Sequence, residues 1–176
     1  MTEETGRKSD SGADRRRTMT KNAGQRRTGS EEREPLFEKA VALLSYRAHA
    51  RKELAEKLRR KTGCEERELE EVLDRLEELG FLDDRSYAGQ VVRSCGRKGY
   101  GRQRALAELV RRGIPEELRE EALAEMPKTE DALERFIRAR LRDPEDRDEV
   151  RRVSAAAVRR GFSWEEVRRA VEKLEE

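Results

Sequence analysis

Three glycines at nearly even intervals constrain this chain more than any other feature. Gly63, Gly113 and Gly161 stand 50 and then 48 residues apart, and their surroundings repeat with them. Nine and ten residues after each glycine come Val72-Leu73, Ala122-Leu123 and Ala170-Val171. Before each lies a basic stretch with a small apolar seam: Leu54/Leu58, Leu106/Leu109 and Val153/Ala157. Further upstream sits an aromatic anchor: Phe37, Tyr87 and Phe136. Apolar residues recur at helical spacing, as in Phe37, Val41 and Leu44, or Leu69, Val72, Leu73, Leu76 and Leu79, and no two-residue alternation competes with it. The unit is therefore helix, helix, glycine turn, helix, used three times. Units this small have thin cores and lean on their neighbours.

Start signals support the same division. Pro115 follows Gly113-Ile114, where a first-turn proline forfeits no hydrogen bond. Asp143-Pro144 offers a proline with a capping carboxylate before it. Ser163 to Glu166 reads as a capping box, in which Ser and Glu satisfy orphan N–H groups reciprocally. The expected helices are 35–46, 50–61, 65–79, 84–96, 101–112, 115–125, 129–141, 146–160 and 163–175. The expected fold is all-α: three tandem three-helix repeats, 35–83, 84–127 and 128–176, in an elongated, curved array.

Residues 1–34 stand apart. All 33 Leu, Ile, Val and Phe residues lie at or after Leu36. Between Arg7 and Arg27 eight Lys/Arg face only Asp10 and Asp14 among small polar residues, a composition that cannot offset its ordering entropy. A disordered basic tail is expected there, either a nucleic-acid-attracting arm or a solubilising extension.

Composition also excludes chemistry. His49 is the sole histidine and Cys64 and Cys95 the sole cysteines, so neither a histidine-based metal site, a thiol metal site nor a disulfide framework is expected. A Ser-His or Cys-His catalytic pair would have to use His49, and no nucleophile motif accompanies it. The longest apolar run, Ala40 to Leu44, cannot span a membrane. The N-terminus has no apolar signal segment. The expectation is a cytoplasmic, cofactor-free, metal-free protein that is not an enzyme.

The net charge of +2 conceals sorted blocks. Arg47 to Lys61 holds seven basic residues against two acidic, and Glu65 to Asp84 ten acidic against two basic. Arg85 to Gly113 holds eight basic residues against Glu108, and Ile114 to Glu134 eight acidic against two basic. Basic and acidic helices packed together would explain part of this, although exposed pairs each contribute little. The sharper reading is a basic surface facing a polyanion. Its candidates are Arg97, Lys98, Arg102, Arg104, Arg111 and Arg112 around the turn Gly96 to Gly101. Arg47, Arg51, Lys52, Lys57 and Arg59 form a second candidate surface. The glycine-rich turn lacks the preceding strand and the Gly-Lys-Ser/Thr ending of a nucleotide loop. His49 is expected at the surface, Phe162 and Trp164 as packing at the end of the last repeat, and Asp83-Asp84 as a helix cap.

The middle of the chain resembles the RecX family, bacterial modulators of the RecA recombinase. The resemblance rests on Leu43-Leu44, Arg47, Glu53-Leu54, Leu58, Leu76 and Leu79 to Asp84, then Tyr87-Ala88, Val92-Arg93, Gly101, Leu106, Glu108-Leu109 and Arg112 to Ile114. It closes with Arg159 to Trp164. The block from Gly80 to Gly113 is the specific part. Where the family often has Ser or Thr, this chain has Ala50, so the cap of the second helix is weaker or supplied from elsewhere. The resemblance implies a non-enzymatic, monomeric regulator that binds the groove of the RecA–DNA filament. It also implies that the protein limits filament growth, ATPase, strand exchange and coprotease activity, with single-stranded and double-stranded DNA as further partners. The competing reading is a helical DNA-binding module or protein scaffold acting without RecA; against the module, no helix carries an Asn/Gln/Arg base-reading cluster.

Overall fold

The computed structural model describes residues 29–175. Among them are nine helices and no strand: α1 (Gly29–Tyr46), α2 (Arg51–Thr62), α3 (Glu66–Glu78), α4 (Asp84–Arg97), α5 (Arg102–Arg111), α6 (Glu116–Ala124), α7 (Glu130–Arg138), α8 (Arg147–Arg159) and α9 (Trp164–Glu175). Most of the expected basic tail lies outside the described residues. Helix α1 begins at Gly29 rather than 35 and carries Pro35 inside it. A start at 35 would have put the proline in the first turn, where its missing N–H is harmless, but one lost bond does not end a helix.

Each successive trio of helices encloses its own core. In the first, Leu36 and Ala40 of α1 meet Leu54 and Leu58 of α2 and Leu69, Leu73 and Leu76 of α3. The second core is built of smaller side chains, Ala88, Val91, Val92, Cys95, Ala105, Leu109 and Ala122 among them. The third joins Leu133, Ile137, Val153, Ala157, Phe162 and Val167. The helix faces differ in detail from those the spacing predicts. Leu36/Ala40 and Leu133/Ile137 are the fully buried pairs, and the aromatic anchors Phe37 and Phe136 lie half-buried beside them. Only Tyr87 is a buried anchor. Leu79 falls past the last turn of α3 and is 46% exposed.

The caps follow local chemistry. Asp83 accepts from Ser86 N at the start of α4, and Ser163 and Glu166 exchange the reciprocal bonds of a capping box at 3.2 and 2.6 Å. Helix α8 starts later than the Asp143-Pro144 signal suggests. Its cap is Asp146, which accepts from the backbone N–H groups of Asp148 and Glu149. Asp143 instead closes a turn by accepting from Glu145 N. The cap that Ala50 cannot supply comes from another repeat: Asp84 Oδ1 accepts from Arg51 N at 2.7 Å.

That bond belongs to the first of two joints between repeats. Ala50 is fully buried in the core of the second repeat, and Lys52 lays its stem over Gly113 so closely that a Cβ there would sit 2.7 Å from Lys52 Cδ. The second joint is backbone on backbone. Gly101 N donates to Arg160 O and Gln103 N to Gly161 O, both at 3.0 Å. The Arg160 guanidinium then bridges the two repeats, donating to Lys98 O at 2.8 Å and lying 5.0 Å from the Tyr100 ring and 4.9 Å from that of Phe136. Helices pair extensively only inside their own repeat, so the array is elongated and its joints are narrow.

Candidate functional site

Between the two joints, α4 and α5 line an open groove of about 550 Å³. Its basic side chains are Arg93, Arg97, Lys98, Arg104, Arg111 and Arg112, and its sole acidic one is Glu108. Tyr87 stands at the end nearest the first joint and Tyr100 at the end nearest the second. Helical geometry explains the concentration. Gln90, Arg93, Ser94 and Arg97 fall three or four apart and share one stripe of α4, while Arg104, Glu108, Arg111 and Arg112 share one of α5.

Five of the eleven sequence candidates meet here: Arg97, Lys98, Arg104, Arg111 and Arg112. Arg93 joins them; its position four residues before Arg97 was the available signal. Arg102 points away, donating to Leu123 O at 2.8 Å and pairing with Glu120. The second candidate surface is not an open basic face. Arg51 is held by Glu70, Asp74 and Glu77 of α3, and these partners raise its pKa against the lowering effect of burial. Lys57 lies 2.7 Å from His49 Nε2, Arg59 pairs with Glu66, and Lys52 covers Gly113. Only Arg47 reaches toward the groove, donating to Tyr87 Oη at 3.3 Å and pairing with Glu53.

His49 corrects the expectation of a surface residue. It is 3% exposed, tucked into the α1–α2 connection beneath the first joint. Lys57 Nζ can only donate to Nε2, so Nδ1 carries the hydrogen and donates to Arg47 O at 2.8 Å. Burial is the main cause that lowers its pKa, with the Arg47 and Lys57 charges acting in the same sense. A lone histidine between two alanines carries no periodicity that would betray this. Trp164 is the other correction: Phe162 is buried as expected, but Trp164, at the first turn of α9, is 61% exposed.

Within the groove Glu108 holds three arginines. It pairs with Arg112, with Arg111 at 2.6 Å and with Arg104 at 3.5 Å. Hydrogen bonds from Arg111 and Arg112 hold its carboxyl down to about 2. Arg93, Arg97 and Lys98 form no ion pair among the described residues, so the groove keeps a cationic excess. The Cys95 thiol at its floor is free, buried and pushed up by desolvation, which leaves it a packing group. No cluster of three or more potential metal ligands occurs among the described residues, and no described helix is long and apolar enough to cross a membrane.

The pattern of trios matches known sequences. Residues 37–76 fit the model of the RecX first three-helix domain, and residues 83–123 that of the RecX second three-helix domain. A regulatory protein RecX from Pelodictyon phaeoclathratiforme is 34% identical over 139 residues, 77% of this chain and 86% of that protein. The chain belongs to the RecX family. Another RecX, from a Mycobacterium species, is 38% identical over 133 residues, 70% of this chain and 72% of that protein. The crystal structure of RecX from Lactobacillus salivarius shares the fold, with a TM-score of 0.72 at 22% identity over 83% of this chain and 98% of that one. The RecX assignment makes this chain a regulatory protein built of helical repeats.

Proposed function

We propose that the chain is a non-enzymatic, cytoplasmic regulator of the RecA recombinase. It binds the RecA–DNA filament as a monomer and mainly restrains filament growth, and with it ATP hydrolysis, strand exchange and coprotease activity. The three trios, divided near residues 83 and 127, act as modules laid along the filament, gaining avidity from distributed contacts. The α4–α5 groove carries the reading: six basic side chains against one carboxylate suit a polyanion running past the second repeat. Family membership supplies the regulatory role. Arg97, Lys98, Arg104, Arg111 and Arg112 are the proposed contacts from the original candidates, with Arg93 added and Arg47 at the rim.

Slowed RecA ATP hydrolysis on single-stranded DNA at substoichiometric amounts of this protein is the expected outcome. No slowing at stoichiometric amounts, from folded protein in low salt, overturns the reading. Charge reversal at Arg97 and Lys98, which hold no ion pair among the described residues, is the cleaner test of the groove. Reversal at Arg102 would also break its bond to Leu123 O.

A further inference from the structure

Tyr87 Oη is the meeting point of two repeats. Arg47 Nη1 from the first repeat donates to it at 3.3 Å, and Arg112 Nε from the second at 3.2 Å. With both guanidinium groups donating, the oxygen acts as acceptor twice, and the phenol's own hydrogen has no acceptor among the described residues. Two cations therefore converge on a neutral atom that still has a donor to offer. Next to it Glu108 binds Arg112, Arg111 and Arg104 at once. One carboxylate occupies the position from which three guanidinium groups can be engaged, and planar guanidinium groups bind phosphate oxygens as they bind carboxylates.

We propose that this end of the groove is a phosphodiester seat, occupied in the free protein by the Glu108 carboxylate as an internal counter-ion. A backbone phosphate of a nucleic-acid strand takes the Tyr87 hydroxyl hydrogen together with Arg112 and Arg111, and Glu108 swings out. The inference rests on the polyanion reading of the groove and adds a device that sets its affinity. While the carboxylate is in place, three arginines are already satisfied, so only strands that also engage Arg93, Arg97 and Lys98 bind well. The seat also links ligand to joint. Arg112 released from Glu108 changes its hold on Tyr87 Oη, the atom through which Arg47 of the first repeat is tied to the second. Occupancy is thereby felt in the contact between repeats one and two.

Fluorescence anisotropy with a labelled oligo-dT strand and the full chain tests the seat. Glu108→Gln keeps the side-chain shape but removes the charge. It should tighten binding about fivefold at about 50 mM salt, with the gain shrinking as salt screens it. Tyr87→Phe, which removes the seat's hydroxyl, should weaken binding severalfold. Inorganic phosphate at the same phosphate concentration should compete weakly, because it lacks the neighbouring charges that engage the rest of the groove; competition equal to that of the strand overturns the nucleic-acid assignment. If Glu108→Gln retains its helical circular dichroism and binds no tighter while the wild-type chain does bind, the counter-ion inference falls and the polyanion reading stands. If neither protein binds the strand in low salt, both fall. Carboxyl-carbon NMR of Glu108 in the wild-type chain removes any dependence on a variant's folding. Its resonance should move saturably with added strand, and a fixed resonance during binding overturns the proposal.

Discussion

The two joints connect similar repeats by different physics. At the first, side chains do the joining: Asp84 caps α2, Lys52 covers Gly113, and Arg47 and Arg112 share Tyr87 Oη. At the second, backbone meets backbone at Gly101 and Gly161, and a single arginine bridges two aromatic rings. Side chains can rotate away from an intruding atom, whereas a peptide group locked by hydrogen bonds cannot. The first joint should therefore be adjustable and sensitive to solution conditions, and the second rigid and intolerant of added atoms.

The equivalent glycines of the two joints give the largest contrast. Both have positive φ, 74° at Gly113 and 93° at Gly161, so any side chain is strained at either. A Cβ at Gly161 would also lie 2.3 Å from Arg104 N, in backbone, whereas at Gly113 the atoms nearest to it belong to the movable stem of Lys52. Gly161→Ala should cost about 3 kcal/mol in urea unfolding and Gly113→Ala about 1 kcal/mol. Equal costs would break the distinction between the joints.

A smaller effect is expected from the bridge at the second joint. Arg160→Met keeps the stem and removes the charge, the carbonyl bonds and the cation–π contacts, and should cost about 1–2 kcal/mol. Native-state hydrogen exchange localises the loss: the Gly101 and Gln103 amides should lose protection, while the Arg51 amide at the first joint keeps its own.

The smallest effect is a pH response confined to the first joint. His49 is held neutral, facing Lys57 and Arg47 as cations and Glu53 as the nearby carboxylate, so its folded pKa lies below the ordinary value of 6.5. The unfolded chain then takes up the proton first. Stability is present in full above about pH 6.5 and declines as the pH falls from there toward the folded value. His49→Gln should abolish that decline over the same window. Glu108, held at about 2, loses its contribution only in stronger acid, between its ordinary value of 4.5 and about 2. A decline that persists in His49→Gln would place the sensitivity elsewhere.

Much of the helical plan was readable from residues near one another in the chain. The glycine period, the apolar spacing of α3 and the capping box of α9 each express local rules, and each reappears in the structure. The α4–α5 candidates were readable for the same reason, because positions three and four apart share a helical face. The second candidate surface was not. Arg51, Lys52 and Lys57 form a basic run in sequence, yet their partners are Glu70, Asp74 and Glu77, Gly113, and His49, brought near only by packing.

The sequence by itself determined an all-α chain of three glycine-punctuated repeats, and family membership followed from the same residues. Helix formation, turns and caps depend on neighbours within a few positions, so local spacing suffices. Whether Arg51 stays free was decided by the tertiary structure alone. An arginine becomes an open binding group or a buried strut according to which distant carboxylates fold against it. Tyr87 acquired its meaning only when the first two repeats met, because Arg47 reaches it from the other repeat.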